Sequence, residues 1–333
     1  MRILIDIGHP SQLNFLKIPI QFLNTSNDLF VTYLNRGILG DIVKKELNNI
    51  NIKELGKHNY SIFSIIWNAN ICKFFQFIKF IYKNKIQIGI NGGVPMGIAM
   101  RIMRRKYIQF NDDYERGMII LLEKILANKL YLFPSTIPLN SRKNIFLVNS
   151  LKEWAYLSPK YFSPNIRVLD EYNIKPGQYI FVREVSTRTI NYLCQKEGVI
   201  SVYQNALTST NLTILLSLEN KEDREKYPNE WILLNEPVND IHSLMYFSKC
   251  VISSGDSMAR EGAMLGVISI YCGSRDMLAN SFLIPISNFK WAKNYDEFIT
   301  AIQSEHVYEQ EVVRNNIYKE WVDVNELVIN SIL

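Results

Sequence analysis

Short apolar runs alternate with longer amphipathic stretches through nearly the whole chain, the pattern that βαβ units with parallel strands produce. In the first half, RILIDI (2–7), LFVTYL (29–34), IQIGI (86–90), KYIQF (106–110), KLYLF (129–133) and NIFLV (144–148) read as strands, with helical patterns filling most of the gaps. The texture changes between 151 and 176, where Pro159, Pro164 and Pro176 interrupt any long element and mark an interdomain connection. Alternation resumes with YIFV (179–182), LTILL (212–216), WILL (231–234), CVIS (250–253) and VISIY (267–271). The pattern predicts an α/β protein of two Rossmann-like domains, at 1–165 and 166–333, with parallel sheets facing a central cleft. The last helix is open to packing back on the first domain.

Composition agrees with that plan. The 333 residues suit two domains of about 150 to 170 residues each. With 47% hydrophobic and 21% charged residues, 18 Tyr and 17 Phe, the chain can build large cores. A net charge of +5 is too weak and dispersed for a nucleic-acid footprint, yet it favours anionic ligands or a membrane surface. Cys72, Cys194, Cys250 and Cys272 form no CxxC pair, which fits a reducing cytoplasm. Asp6 and Pro10 deny the N-terminus a signal-peptide core, and no apolar stretch reaches the ~18 residues of a membrane span. The expectation is a soluble cytoplasmic protein, with peripheral contact at the inner face of the membrane left open.

The densest local signal is VISSGDSMAREGAMLGVISIY (251–271), a strand, a small-residue turn, a helix and a second strand. In a doubly wound sheet, the turn after a strand aims helix N–H groups at a ligand. Gly255 offers a positive φ or a close backbone approach, Asp256 or Ser257 can cap the helix, and Ser254 lies in the same turn. Glu261 lies one helical turn past Ser257, where a carboxylate suits a pair of ribose hydroxyls. The alternative is plain capping, with Arg260 and Glu261 solvated. A negative Asp256 would by itself repel a diphosphate.

Three stretches, MRILIDIGHPSQLNFLK (1–17), the run from 151 to 184 and SSGDSMAREGAMLG (253–266), together resemble a family of bacterial and archaeal proteins built like GT-B glycosyltransferases. That family is distantly similar to non-hydrolysing UDP-N-acetylglucosamine 2-epimerases and to the peptidoglycan N-acetylglucosaminyltransferase. The resemblance covers essentially the whole chain. It implies a nucleotide-sugar donor on the C-terminal domain and a glycan or lipid-linked acceptor approached from the N-terminal one, in surface-polysaccharide or lipopolysaccharide pathways. By position, it puts Arg183 and Glu261 at the nucleotide and His9 in the first loop. The chain departs from the family in carrying Gln12 and Asn14 where relatives have histidines, Asp256 in the turn, and Val267 where a proline usually follows the helix end.

The residues themselves suggest roles. His9 follows the first strand and has the pKa class of a base, though a backbone hydrogen bond explains it as well. Arg183, with Arg188 as substitute, can fork onto phosphate or pair with Glu184 or Asp170. FNDDYERG (110–117) clusters Asp112, Asp113 and Glu115 at a strand end, as acid/base groups or as helix caps. NGGVPMG (91–97) lacks the spacing of an NAD or ATP loop, and the four histidines form no metal motif. The stretch 66–85 is aromatic and carries Lys73, Lys79, Lys83 and Lys85; it reads as a core helix with snorkelling lysines or as a lipid-facing one.

The resemblance, taken with these residues, implies a glycosyltransferase without metal or cofactor, using His9, Asp113 and Glu115 for catalysis and Arg183, Ser254, Gly255, Asp256, Ser257 and Glu261 for a UDP-linked sugar. An epimerase or hydrolase of UDP-sugars and a non-catalytic binding protein are the alternatives.

Overall fold

The computed structural model describes residues 1–37, 39–57, 67–140, 142–187, 195, 198–235 and 238–332. The chain divides into two compact units, Met1–Tyr156 with Val322–Leu333, and Leu157–Trp321.

In the first unit the order is β1 (Arg2–Ile7), α1 (Pro10–Leu23), β2 (Asp28–Asn35), α2 (Leu39–Glu46), β3 (Asn51–Lys57), a π-helical turn (Trp67–Cys72), α3 (Lys73–Asn84), β4 (Ile88–Ile90), α4 (Gly93–Ile102), β5 (Lys106–Asn111), α5 (Gly117–Leu126), β6 (Lys129–Leu132) and β7 (Ile145–Leu147). The seven strands form one parallel sheet in the order β3-β2-β1-β4-β5-β6-β7. Central β1 is buried along nearly its whole length, which is why it reads as a continuous apolar run. Phe15 meets Phe110 edge-on with ring centroids 5.6 Å apart, and Phe110 stacks on Tyr131 at 4.9 Å. Within this core sits a buried ion pair. Lys73 Nζ lies 2.6 Å from Asp6 Oδ2, and Thr32 donates to Asp6 Oδ1 at 2.7 Å. Lys73 is therefore an internal residue of α3, not one of its surface lysines.

The second unit runs β8 (Tyr179–Glu184), α6 (Gln204–Thr208), β9 (Thr213–Leu218), β10 (Ile232–Leu233), α7 (Ile241–Tyr246), β11 (Cys250–Ser253), α8 (Asp256–Met264), β12 (Ile268–Tyr271), α9 (Leu278–Leu283), β13 (Phe289–Trp291), α10 (Tyr295–Gln303) and α11 (Gln310–Glu320). Its parallel sheet has the order β10-β9-β8-β11-β12-β13. Tyr203 stacks on Phe298 at 4.0 Å in its core. Gly262 lets α8 lie close on this sheet, since a Cβ there would stand 2.9 Å from Val251 Cβ and Ser269 Oγ. The final helix, α12 (Val324–Ile332), belongs to the first unit and packs on α1.

Every strand read from the sequence is present. The sequence reading lacks β3 and β13: β3 (NIKELGK) is a polar edge strand, and β13 is three residues long. In both sheets the strand order reverses beside the first strand, between β1 and β4 and between β8 and β11. Those reversals are where doubly wound folds bind ligands.

Candidate functional site

In the second unit, Arg183 on β8 and Ser253 on β11 are register partners across the reversal. Arg183 Nη1 donates to Ser217 Oγ on β9 at 2.6 Å. Ser254 N donates to Arg183 O at 3.0 Å, and Ser254 Oγ accepts from Val185 N at 2.9 Å, so the loops after β8 and β11 are tied together. Gln195 extends the tie, donating to Ser254 O and accepting from Ser274 N, both at 3.2 Å. Gly255 is extended, with φ −103° and ψ 134°, and its N–H is taken by Ser253 Oγ at 3.0 Å. A positive φ is thus not what this glycine supplies. Arg188 lies outside the described residues.

Asp256 opens α8 and is only 2% exposed. Its Oδ2 is 2.9 Å from Arg260 Nη1 and its Oδ1 is 3.5 Å from Arg275 Nη1. Two guanidinium groups face one carboxylate, and the partial positive charge of the helix N-terminus adds to theirs. These cations oppose the repulsion that an isolated Asp256 would exert on a phosphate. Arg260, at 1% exposure, also donates to Asn280 Oδ1 at 3.3 Å and lies 3.4 Å from Ser257 Oγ. Glu261, one turn past Ser257, is buried as well, and its Oε2 lies 3.3 Å from His242 Nε2 on α7. The alternative in which Arg260 and Glu261 are solvated does not hold: both are internal, one fixing the head of α8 and the other meeting a histidine. Glu184, at the end of β8, accepts from Tyr227 Oη at 2.5 Å and from Ile200 N at 2.9 Å. Burial raises its pKa, while Tyr227, Ser254 and the Ile200 N–H hold it down.

In the first unit, His9 sits after β1 and caps α1, with Nδ1 accepting from Ser11 N at 3.3 Å and lying 2.9 Å from Ser11 Oγ. With Nδ1 as acceptor, a neutral ring carries its proton on Nε2, suited to donation toward an oxygen. Gln12 accepts from Gly8 N at 2.7 Å and closes the same loop. Across the reversal, Asn91 follows β4 at φ 61° and its Oδ1 accepts from Phe110 N at 3.2 Å. After β5, Asp112 is 2.5 Å from Lys152 Nζ, and Asp113 N donates to Asn111 Oδ1 at 2.7 Å. Glu115 lies in the exposed turn before α5.

The same Asn111 gives its Nδ2 to Glu123 Oε2 at 2.7 Å. Glu123, on α5 and 2% exposed, has its pKa pushed up to about 7 by burial; Asn111, Lys152 and Arg116 pull it down and Asp112 adds to the rise. Sequence reasoning passed over this carboxyl, although a lone acid in the apolar run GMIILLEKIL was a visible signal. Asn111 thus joins the Asp113 turn to a group that titrates near neutrality. Among the described residues, no three His, Cys, Asp or Glu side chains gather closely enough to hold a metal ion.

Two Rossmann-like units with parallel sheets define a GT-B-like α/β protein, and solved structures agree. UDP-N-acetylglucosamine 2-epimerase from Rickettsia bellii superposes with a TM-score of 0.73 at 11% identity, covering 100% of this chain and 96% of the other. The Methanocaldococcus jannaschii UDP-GlcNAc 2-epimerase, in complex with UDP-GlcNAc and UDP, gives 0.71 at 12% identity with 100% and 99% covered. Acinetobacter baumannii MurG gives 0.59 at 13% identity with 99% and 98% covered. No curated protein matches the chain in sequence. Residues 150–332 match the family described as protein of unknown function DUF354, and since that is more than half of the chain, the protein belongs to this family.

Proposed function

We propose that the protein is a GT-B-type glycosyltransferase that moves a sugar from a nucleotide sugar, UDP-linked, to a glycan or lipid-linked acceptor in surface-polysaccharide or lipopolysaccharide assembly. The observation that carries this reading is the pairing of Asp256 with Arg260 and Arg275, which makes the α8 N-terminus cationic beside the strand reversal. In transfer, the acceptor oxygen bonds to the anomeric carbon and the sugar–phosphate bond breaks. The diphosphate leaves with the electron pair, and the acceptor proton passes to a base. The backbone N–H groups of Asp256 and Ser257 at the helix head, with Arg183, meet the departing charge, and Ser254 and Gly255 form the turn that aims them. Glu261, steadied by His242, takes the ribose hydroxyls. Asp113 and Glu115 offer the base for the acceptor proton, His9 Nε2 donates to an oxygen of the acceptor, and no metal or cofactor takes part.

Thermal-shift titration with UDP, GDP, CMP and their sugar conjugates tests the donor site. A nucleotide at ~100 times its Kd raises stability by about 2.7 kcal/mol. Arg183→Ala and Glu261→Ala should remove the shift; retention of full affinity in both would refute this placement.

A second reading, epimerisation or hydrolysis of the same UDP-sugar, draws on Glu123, since a carboxyl near neutrality can both take and return a proton. Turnover of the nucleotide sugar without acceptor, with solvent deuterium entering the sugar, would select epimerisation. Nucleotide binding without any turnover would select a non-catalytic binding protein.

A further inference from the structure

Helix α5 is built the wrong way round for a helix that faces water. Its one carboxylate, Glu123, is buried, whereas Met118 (72% exposed), Leu121, Leu122 and Ile125 (59%) form an outward stripe at the i, i+3, i+4, i+7 spacing of a single helix face. Surface helices of monomeric proteins carry the opposite polarity, and large contiguous apolar patches mark interaction sites. The stripe does not stand alone. Helix α4 packs between α3 and α5 on one side of the sheet and adds exposed Ile98 and Ile102. Neighbouring α3 adds exposed Phe75 and Tyr82. Among the described residues, nine of the large apolar side chains exposed in the whole chain lie on these three helices and the π-helical turn that leads into α3.

Charge along α3 and α4 is one-sided, Lys73 being the one cation of that stretch buried on Asp6, while the acids Asp112, Asp113 and Glu115 enter only on the approach to α5. Residues 55–111 hold nine of the chain's 37 Lys and Arg and none of its 32 Asp and Glu. Arg101, Arg104, Arg105 and Lys106 crowd the end of α4, and all four are exposed. Among the described residues, none of them is paired with a carboxylate. A second copy of the chain docking the same face against itself would bring these cations together, which costs energy. A polyanion without apolar depth would satisfy the cations and leave the stripe in water. An anionic bilayer surface satisfies both, because acyl chains lie a few ångströms below a negative headgroup layer.

We propose that the α4–α5 face is a membrane-docking surface, with Met118, Leu121, Leu122 and Ile125 seated at the headgroup–acyl boundary and Arg101, Arg104, Arg105 and Lys106 on anionic phospholipid headgroups. Docking combines an apolar and an electrostatic signal, and neither alone gives stable attachment. The inference stands on this surface and not on the sugar-transfer reading.

Flotation of the full chain with phosphatidylcholine vesicles, with and without phosphatidylglycerol, tests it. The expected result is binding to the anionic vesicles alone, weakening as salt is raised. Arg104→Ala with Arg105→Ala should lower the partition coefficient about thirtyfold, at roughly fivefold per cation. Leu121→Glu with Ile125→Glu should abolish binding with the melting temperature unchanged, whereas Val307→Glu, at an exposed apolar residue of the other unit, should retain it. No flotation with anionic vesicles at low salt overturns the proposal, as does flotation indifferent to the double glutamate variant. A concentration-dependent dimer that the same variant dissociates, without vesicle binding, also overturns it and assigns the face to a second copy.

Discussion

Replacing Glu123 with glutamine should stabilise the first unit at alkaline pH and flatten its response to pH. Burial at 2% exposure pushes this carboxyl from the ordinary 4.5 up to about 7, against the opposing pull of Asn111, Lys152 and Arg116. Between those two values the native state holds a proton that the unfolded chain has released. The associated stability is complete below about pH 4.5 and is lost as pH rises through about 7. At 1.36 kcal/mol per pKa unit, the loss comes to about 3 kcal/mol. Glutamine keeps the shape, accepts from Asn111 Nδ2 and never ionises. Glu123→Gln should therefore match the parent near pH 4.5 and exceed it by about 3 kcal/mol near pH 8. For a unit of this size that is roughly 6–12 °C in Tm. Scanning calorimetry of both proteins across this range, with the first unit's transition followed separately, makes the measurement. Parallel Tm-against-pH lines for parent and variant would refute the reasoning, because they would mean that Glu123 does not titrate between its unfolded and folded values.

Other predictions concern the second unit. Arg260→Ala removes the guanidinium 2.9 Å from the buried Asp256 carboxylate and should cost about 3–5 kcal/mol in urea unfolding, partly recovered by adding Asp256→Ala. Gly262→Ala drives a methyl to 2.9 Å from Val251 Cβ and should cost about 1–3 kcal/mol, read as a lower denaturation midpoint with unchanged slope. His242→Ala removes the group 3.3 Å from Glu261 and should weaken nucleotide affinity in calorimetric titration, while His242→Gln, which keeps a donor, should recover part of it.

The fold was legible where burial is two-sided. Central strands such as β1 and β8 are apolar at nearly every position, so they stand out from any neighbour. β3 escaped because only Leu55 and Gly56 of its seven residues are buried, and a polar edge strand looks like loop. The strand–turn–helix at 250–264 was legible for the same reason as β8, but the burial of Arg260 was not. Its partners Met277 and Asn280 come from the next βα connection, and no local pattern foretells that contact. Glu123 and the α5 stripe were hidden by the usual rule that apolar residues face inward, which this helix inverts. The positive charge read as dispersed because it was counted over the whole chain, whereas it concentrates in the helices from α3 to α4.

Each unit buries a charged pair near its strand reversal, Asp6 with Lys73 in the first and Asp256 with Arg260 in the second. Apolar replacements of such pairs are often as stable or more so, so stability alone is a weak reason for either. What the pairs do supply is direction. Asp6 ties β1 to β2 through Thr32 and to the start of α3 through Lys73, fixing the end of the strand that leads into the His9 loop. Asp256 ties the first residue of α8 to its second turn through Arg260 and to the loop after β12 through Arg275, fixing the helix head and its charge together. Loops at a strand reversal are otherwise free to drift, and a site that must hold a small polar ligand needs them set to within about half an ångström. Buried ion pairs with two or three partners set such loops because a misplaced partner leaves a charge uncompensated, a penalty that apolar packing does not impose.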